Sequence, residues 1–411
     1  MSFLGSIILQ SAFLWLPVVL YFIFWDMWIE WRQGIYQLNQ KWALLEINIP
    51  KDVFKSPEAM EIVFNILNDT GGVGTWWVKN VRGAVPHVSS LEIVSIEGSI
   101  YFFIRTQERF KELLKNQIYS QYPQAEVNEV DDYARYIGDY GKKQKEWELF
   151  GYEFGLVGPD FLPIKTYVDY GLDRAVGSLE EYEKVDPITA MLEYLGSMRT
   201  GEQVWIQLVL RSDKWSTWRK DGQEEIYKMI GRSTDGADAN PEKPATTLRL
   251  SSGEQEKIKA IERTFQKPAF EVGFRALYLA KKESFRPINI AGLAASLRQY
   301  NSPHLNGFKP TLVTAFDYKY QDISGTRLPA LKRKFFYNYV NRAFFYNDVL
   351  YDSGEGEKKF FLFKQSPKKK TFILSSEELA TIFRIPGRVS ETVSLERIEA
   401  TKSEAPANLP V

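Results

Sequence analysis

The sequence predicts an α+β protein: an N-terminal transmembrane helix, two ferredoxin-like (βαββαβ) modules and a small α/β C-terminal extension. Three observations predict it. The run 3–25 carries no charged residue and is long enough to cross a bilayer as a helix. Residues 43–130 read as strand, helix, strand, strand, helix, strand, the order of the split βαβ unit. Residues 151–324 repeat that order with slight residue identity.

The apolar run reads FLGSIILQSAFLWLPVVLYFIFW. Pro17 would kink it, which membrane helices tolerate. Trp25, Trp28 and Trp31 follow at three-residue spacing, as in an aromatic belt at headgroup level. A cleaved signal peptide would want a basic start and a small-residue cleavage site, and the run has neither. Arg32 and Lys41 make the downstream flank the more basic one. The expectation is a single-pass protein of the cell membrane with the bulk of its chain cytoplasmic. Residues 1–41 then hold the helix and a juxtamembrane aromatic segment.

The first module covers 42–150. Leu45, Ile47 and Ile49 alternate with polar residues at strand period, and Ala59, Ile62, Val63, Ile66 and Leu67 recur at helix period. Leu91, Ile93 and the run 101–104 are strand-like, with Glu97-Gly98 at the turn. Phe110, Leu113, Leu114 and Ile118 form a second helical face, ended by Pro123. The loop 69–90 carries Gly71, Gly72 and Gly74 before Trp76-Trp77. It fails the dinucleotide pattern G-x-G-x-x-G at Trp77. An aromatic-tipped contact loop and an ordinary insertion both fit it.

The second module covers 151–324. Its first strand is 152–157 or 164–169. Asp186 reads as an N-cap with Pro187 at the first helical position. Strands follow at 202–211 and 270–281, a helix at 287–300 and a closing strand at 311–316. An insertion at 215–265 reads as a helical hairpin around a polar loop.

The extension covers 325–389. Residues 328–345 are aromatic and amphipathic, with Lys332, Arg333, Lys334 and Arg342 interleaved. Stacking rings beside cations suit single-stranded nucleic acid. A helix that buries rings and exposes charges is the plainer reading. Strands are expected at 358–364 and 370–374. Ser375 with Glu378 forms a capping box for a short helix that Pro386 ends. The tail 390–411 reads as extended.

Chemistry is sparse. Lys plus Arg and Asp plus Glu both number 52, so no strong basic field favours nucleic acid. There is no cysteine, which removes disulfides and thiolate chemistry. The two histidines, His87 and His304, stand alone, which disfavours a histidine metal site. No Walker A motif occurs: the only Gly-Lys pair, Gly141-Lys142, is followed by Lys143. No G-x-S-x-G elbow occurs. The adjacent pairs Asp131-Asp132 and Glu180-Glu181 read as solvated surface. Tyr101 and Phe103 share a strand, yet the full RNA-recognition pattern is absent. No cofactor is implied and no enzyme is expected.

The segments ALLEINIPKDVFKSPEAMEIVF, SLEIVSIEGSIYFFIRTQERFKELLKNQIYSQYPQAEV and LSSEELATIFRIPG, with EATKSEAPANLP, carry a resemblance. They resemble the membrane-anchored region ahead of the motor in conjugation-type, type IV secretion ATPases, over about residues 42–410. The P-loop motor of that family has no counterpart in this sequence, so ATP hydrolysis is not carried over. The resemblance implies a non-catalytic, membrane-anchored component of a secretion or conjugation apparatus, docking a separate P-loop ATPase or channel subunits. A homo-oligomer is compatible with it. The alternative is a membrane-tethered nucleic-acid-binding protein using Lys332, Arg333, Lys334 and Arg342.

Overall fold

The computed structural model describes residues 12–48, 55–69, 75–173, 185–213, 216–230, 250–345 and 371–385. Helix α1 (Ala12–Leu38) leads into β1 (Trp42–Asn48), followed by α2 (Glu58–Asp69) and the short α3 (Trp76–Asn80). The hairpin β2 (Val88–Ile96) and β3 (Ser99–Gln107) comes next, then α4 (Lys111–Gln121), β4 (Glu126–Val130) and the one-turn α5 (Tyr140–Lys143). The middle of the chain supplies β5 (Trp147–Leu156), α6 (Pro187–Gly196), β6 (Glu202–Ser212), α7 (Trp218–Met229) and α8 (Ser252–Phe265). Then follow β7 (Ala269–Lys281), α9 (Ile288–Ala295), β8 (Phe308–Val313) and α10 (Arg327–Val340), and finally β9 (Phe372–Ser375) running into α11 (Ser376–Ile382).

All these strands join one antiparallel sheet, in the order β4-β1-β3-β2-β6-β7-β5-β8, with β9 added to β7. This corrects the expectation of two ferredoxin-like modules. Separate modules would leave β2 and β6 as edges. Instead they pair in unbroken register from Val88 opposite Arg211 to Ile96 opposite Gln203. The pairing encloses both strands: residues 89–95 and 202–210 are buried throughout. A solvent edge would leave that apolar surface and a row of backbone groups unpaired. The expected C-terminal extension is no separate unit either, because β9 pairs with β7 from Ala269 opposite Ser375 to Val272 opposite Phe372.

The transmembrane helix is corrected too. Among the described residues no helix is long and apolar enough to cross a membrane. Helix α1 has 27 residues, but Asp26, Glu30 and Arg32 fall in its second half. Crossing takes about 20 consecutive apolar residues. The single-pass placement in the cell membrane is withdrawn with it. Residues 3–11 of the expected span lie outside the described residues. So do the loop glycines Gly71, Gly72 and Gly74, the whole polar loop in the hairpin insertion, the strand expected at 358–364, and the tail from 390.

The sheet is covered on both faces, which is why its central strands read as nearly continuous apolar runs. One face packs Leu45, Ile47, Ile93 and Phe102 against Val63, Phe64, Leu114 and Leu192 of the helices, with Leu379 and Phe383 at its centre. The other packs Phe103, Trp205, Leu277 and Leu279 against Phe335, Phe336 and Tyr339 of α10. Glu97 (φ 54°) and Gly98 (φ 93°) make the two-residue turn of the β2–β3 hairpin. Such turns need left-handed backbone to match strand twist.

Gly273 lies mid-strand in β7 because the Phe345 ring lies where a Cβ would go. Gly273→Ala is therefore expected to destabilise the fold by about 1–3 kcal/mol through overpacking. Chemical denaturation of the full chain checks it, and an unchanged midpoint would refute the packing argument.

Residues 371–385 are buried without exception. Phe383 meets Phe64 of α2 and Phe102 of β3, with ring centres 6.4 and 5.8 Å apart. Glu378 accepts the Ile164 backbone N–H at 2.9 Å, and Glu377 accepts the Thr166 hydroxyl at 2.6 Å. Arg384 forms a buried ion pair with Asp186, the N-cap of α6. This segment thus bolts the two halves of the sheet together.

Candidate docking surface

The first half of helix α1 is built from leucine, valine and aromatic residues on every side. A helix of that kind is normally enclosed. Its first half faces outward here: Leu14 is 65% exposed, Phe22 63% and Phe24 59%. Leu16, Val18 and Leu20 are exposed as well.

The second half is anchored. Arg32 Nε donates to the Val81 carbonyl at 2.9 Å. Gly83 (φ 71°) passes so close to the Arg32 backbone that any side chain there would collide. The Trp25 and Trp76 rings stack at 6.1 Å with 16° between their planes. Trp28 and Trp31 are 5.4 Å apart, and the Arg32 guanidinium lies 5.9 Å from each ring centre. Trp25 and Trp28 are half-buried, and Trp31 is exposed. The expected membrane-interface role of Trp25, Trp28 and Trp31 loses its basis, since no spanning helix exists among the described residues for them to flank. Of the three, Trp25 packs α1 against Trp76 of α3, while Trp28 and Trp31 pack against each other within α1. Trp76 and Trp77 remain 63% and 59% exposed and extend the apolar surface beyond the helix.

The cations expected to touch nucleic acid do not act together. Arg342 is buried, which corrects its assignment. It follows α10 with left-handed backbone, φ 51°. Its Nε and Nη2 donate to Glu92 at 2.9 and 3.1 Å, and its Nη2 also donates to Asp132 at 2.8 Å. Lys332 is paired with Glu148 and largely covered. Arg333 and Lys334 are exposed on α10. The ring of Phe103 stacks on Tyr133 at 5.0 Å and is buried, so no open base-stacking platform results.

Burial alone would raise the Glu92 carboxyl. The Arg342 charge, with hydrogen bonds from Arg342, Ser90 and Tyr133, overcomes this and holds it at about 2. Sequence reasoning passed over Glu92 and treated Asp132 as solvated. The available signal was a lone glutamate inside the apolar strand SLEIVSI, since a buried charge demands a partner.

His87 is pushed down to about 4, by burial and then by the nearby Arg109 charge, and so is neutral at pH 7. Its Nε2 lies 2.8 Å from Ser89 Oγ and 3.1 Å from Thr106 Oγ1. That resembles a nucleophile–base contact, but Ser89 is buried and out of a substrate's reach. A shallow cleft of about 320 Å³ is lined by Gln40, Lys41, Gln107, Glu108 and Arg109, a set without a serine, threonine or histidine. Among the described residues no group of three or more His, Asp or Glu side chains could share a metal ion.

Fold and surface together define an α+β protein on a single antiparallel sheet, bearing an uncovered apolar helix. The chain belongs to the family of the domain of unknown function DUF8128, whose model matches residues 36–397. No curated protein matches it. The matching family is known only as an uncharacterised domain, so the match gives no support to the expected secretion and conjugation assignment.

Proposed function

We propose that this protein is a non-catalytic docking scaffold, and that the outer half of α1 with Trp76 and Trp77 receives a partner protein. The exposure of Phe22, Phe24, Trp76 and Trp77 supports this reading above all. Large contiguous apolar patches on a protein surface mark interaction sites. The sequence resemblance makes a separately encoded P-loop ATPase the partner to test.

The test places a photo-crosslinking residue at Phe22 or Trp77 in the full chain within its native cells. The expected product at both positions is an ATPase bearing a Walker A motif. A control at Tyr136, exposed on another part of the surface, should not yield it. Trp76→Ser combined with Trp77→Ser is expected to reduce the product about tenfold or more, as for loss of an aromatic anchor. Thermal stability should fall by no more than about 1 kcal/mol, because both rings are exposed and only the Trp25–Trp76 stack is lost. Crosslinks to lipid alone would overturn the scaffold reading. Crosslinks only to a second copy of the chain would overturn the ATPase assignment.

A further inference from the structure

We infer that the outer edge of β4 is a second docking site, one that takes an extended basic segment of a partner protein as an added strand. The inference rests on the strand's backbone and charge and does not depend on the helical surface.

Strand β4 ends the sheet, and among the described residues only β1 pairs with it. The direction of its backbone groups can be read from one contact. The Val127 N–H points to the Tyr119 hydroxyl at 3.4 Å, away from β1. Backbone groups of an antiparallel strand alternate between inner and outer sides. Val127 and Glu129 therefore turn their N–H and C=O outward, while Glu126, Asn128 and Val130 serve the ladder to β1. The Tyr119 contact is long, and a partner's carbonyl could replace it.

The two ends of the sheet differ. Strand β8 carries Pro310 and a register shift, both of which block strand addition. Strand β4 reads EVNEV, without proline, lysine or bulge. Its charge selects the occupant. Glu126 and Glu129 are exposed, and exposed Asp131 follows. Lys111 offsets only Glu129, at 2.9 Å. A basic strand would complement this edge, whereas a second copy of β4 would bring carboxylates against carboxylates. Main-chain bonds would supply affinity, and alternate lysine or arginine side chains the selectivity.

The test uses the full chain and a fluorescein-labelled peptide of alternating lysine and valine, with a glutamate–valine peptide as control. Fluorescence polarisation should show saturable binding of the basic peptide alone. Hydrogen exchange should slow at the Val127 and Glu129 amides on binding. Glu129→Pro removes an outward N–H and leaves the ladder to β1 intact, so the variant should fold. It is expected to weaken binding about tenfold or more through the lost main-chain bond, and Glu129→Thr only about threefold through the lost charge. Equal losses in the two variants would reduce the effect to charge and overturn the inference. Equal binding of the acidic control, slowed exchange elsewhere but not at these amides, or no saturation by about 1 mM would overturn it as well.

Discussion

Arg342→Met is expected to lower the free energy of unfolding by about 3–5 kcal/mol, the usual effect of removing one partner from a buried ion pair. Neither Glu92 nor the Arg342 side chain is more than 1% exposed. Methionine fills similar volume but leaves the Glu92 carboxylate with hydrogen bonds from Ser90, Tyr133 and Gln207 and no opposing charge. The Glu92→Gln, Arg342→Met double variant should recover much of the loss, because the fully buried charge is gone and only the partly exposed Asp132 still lacks Arg342. The pH dependence gives an independent readout. In the native protein Glu92 titrates at about 2, below the ordinary carboxylate range. Its contribution is therefore present above that range and lost as pH falls through about 2. In the single variant burial, the largest influence on this carboxyl, is opposed only by hydrogen bonds, chiefly those from Ser90 and Tyr133, and raises it, so stability should instead fall as pH rises. Urea midpoints across pH measure both. A loss below about 1 kcal/mol would show that the ion pair does not hold α10 to the sheet.

The second large effect belongs to Glu378. Burial raises its carboxyl, and the neighbouring Glu377 charge adds to this; hydrogen bonds from Ser375 and Ile164 oppose it, leaving the group at about 7. A carboxyl raised in the folded state favours folding when protonated. That contribution is complete below the ordinary carboxylate value and disappears as pH rises through about 7. Over that window it amounts to about 3 kcal/mol. Arg263, Lys267, Asp169, Glu61 and Glu377 lie around the same segment, and Glu377 is likewise raised, by burial first. Part of the slope therefore belongs to Glu377. Glu378→Gln imitates the protonated acid: its carbonyl can keep the Ile164 N–H and its amide can donate to Ser375 Oγ. The variant should lose about 1 kcal/mol at pH 5 from the missing Ser375 N–H bond. It should gain on the native protein at pH 8, flattening the profile. Parallel profiles for the two proteins would refute the assignment.

Much of the local structure was legible in the sequence. Asp186 caps α6 by accepting the Ile188 N–H at 2.9 Å, with Pro187 at the first helical position. Ser375 and Glu378 form the capping box that their spacing announces. These features depend on residues within one turn of each other. The β2–β6 pairing was not legible, since nothing local in either strand names its neighbour. The nearly continuous apolar runs, such as VWIQLVL in β6, were the only hint that neither strand could be an edge. Helix α1 was misjudged because attention to its uncharged run discounted the charges that follow it. The docking surface was only partly legible. Trp76 and Trp77 stood out as a loop tip, yet the stacking of Trp76 on Trp25 joins residues far apart in sequence. The cationic cluster failed for another reason. Arg342 was grouped with its charged neighbours, although Val340, Ala343, Phe344 and Phe345 around it mark a buried position.

The insertion of residues 371–385 into the core has a consequence for how the molecule is made. Strand β9 and helix α11 meet α2, β3 and β7, all of which are synthesised earlier. Until residue 385 has emerged from the ribosome, the faces of Phe64, Phe102 and Val272 lack their covering and the Glu377 and Glu378 partners are missing. Nascent chains of this protein must therefore pass through a stage with an open core, when they are most exposed to aggregation and most in need of a chaperone.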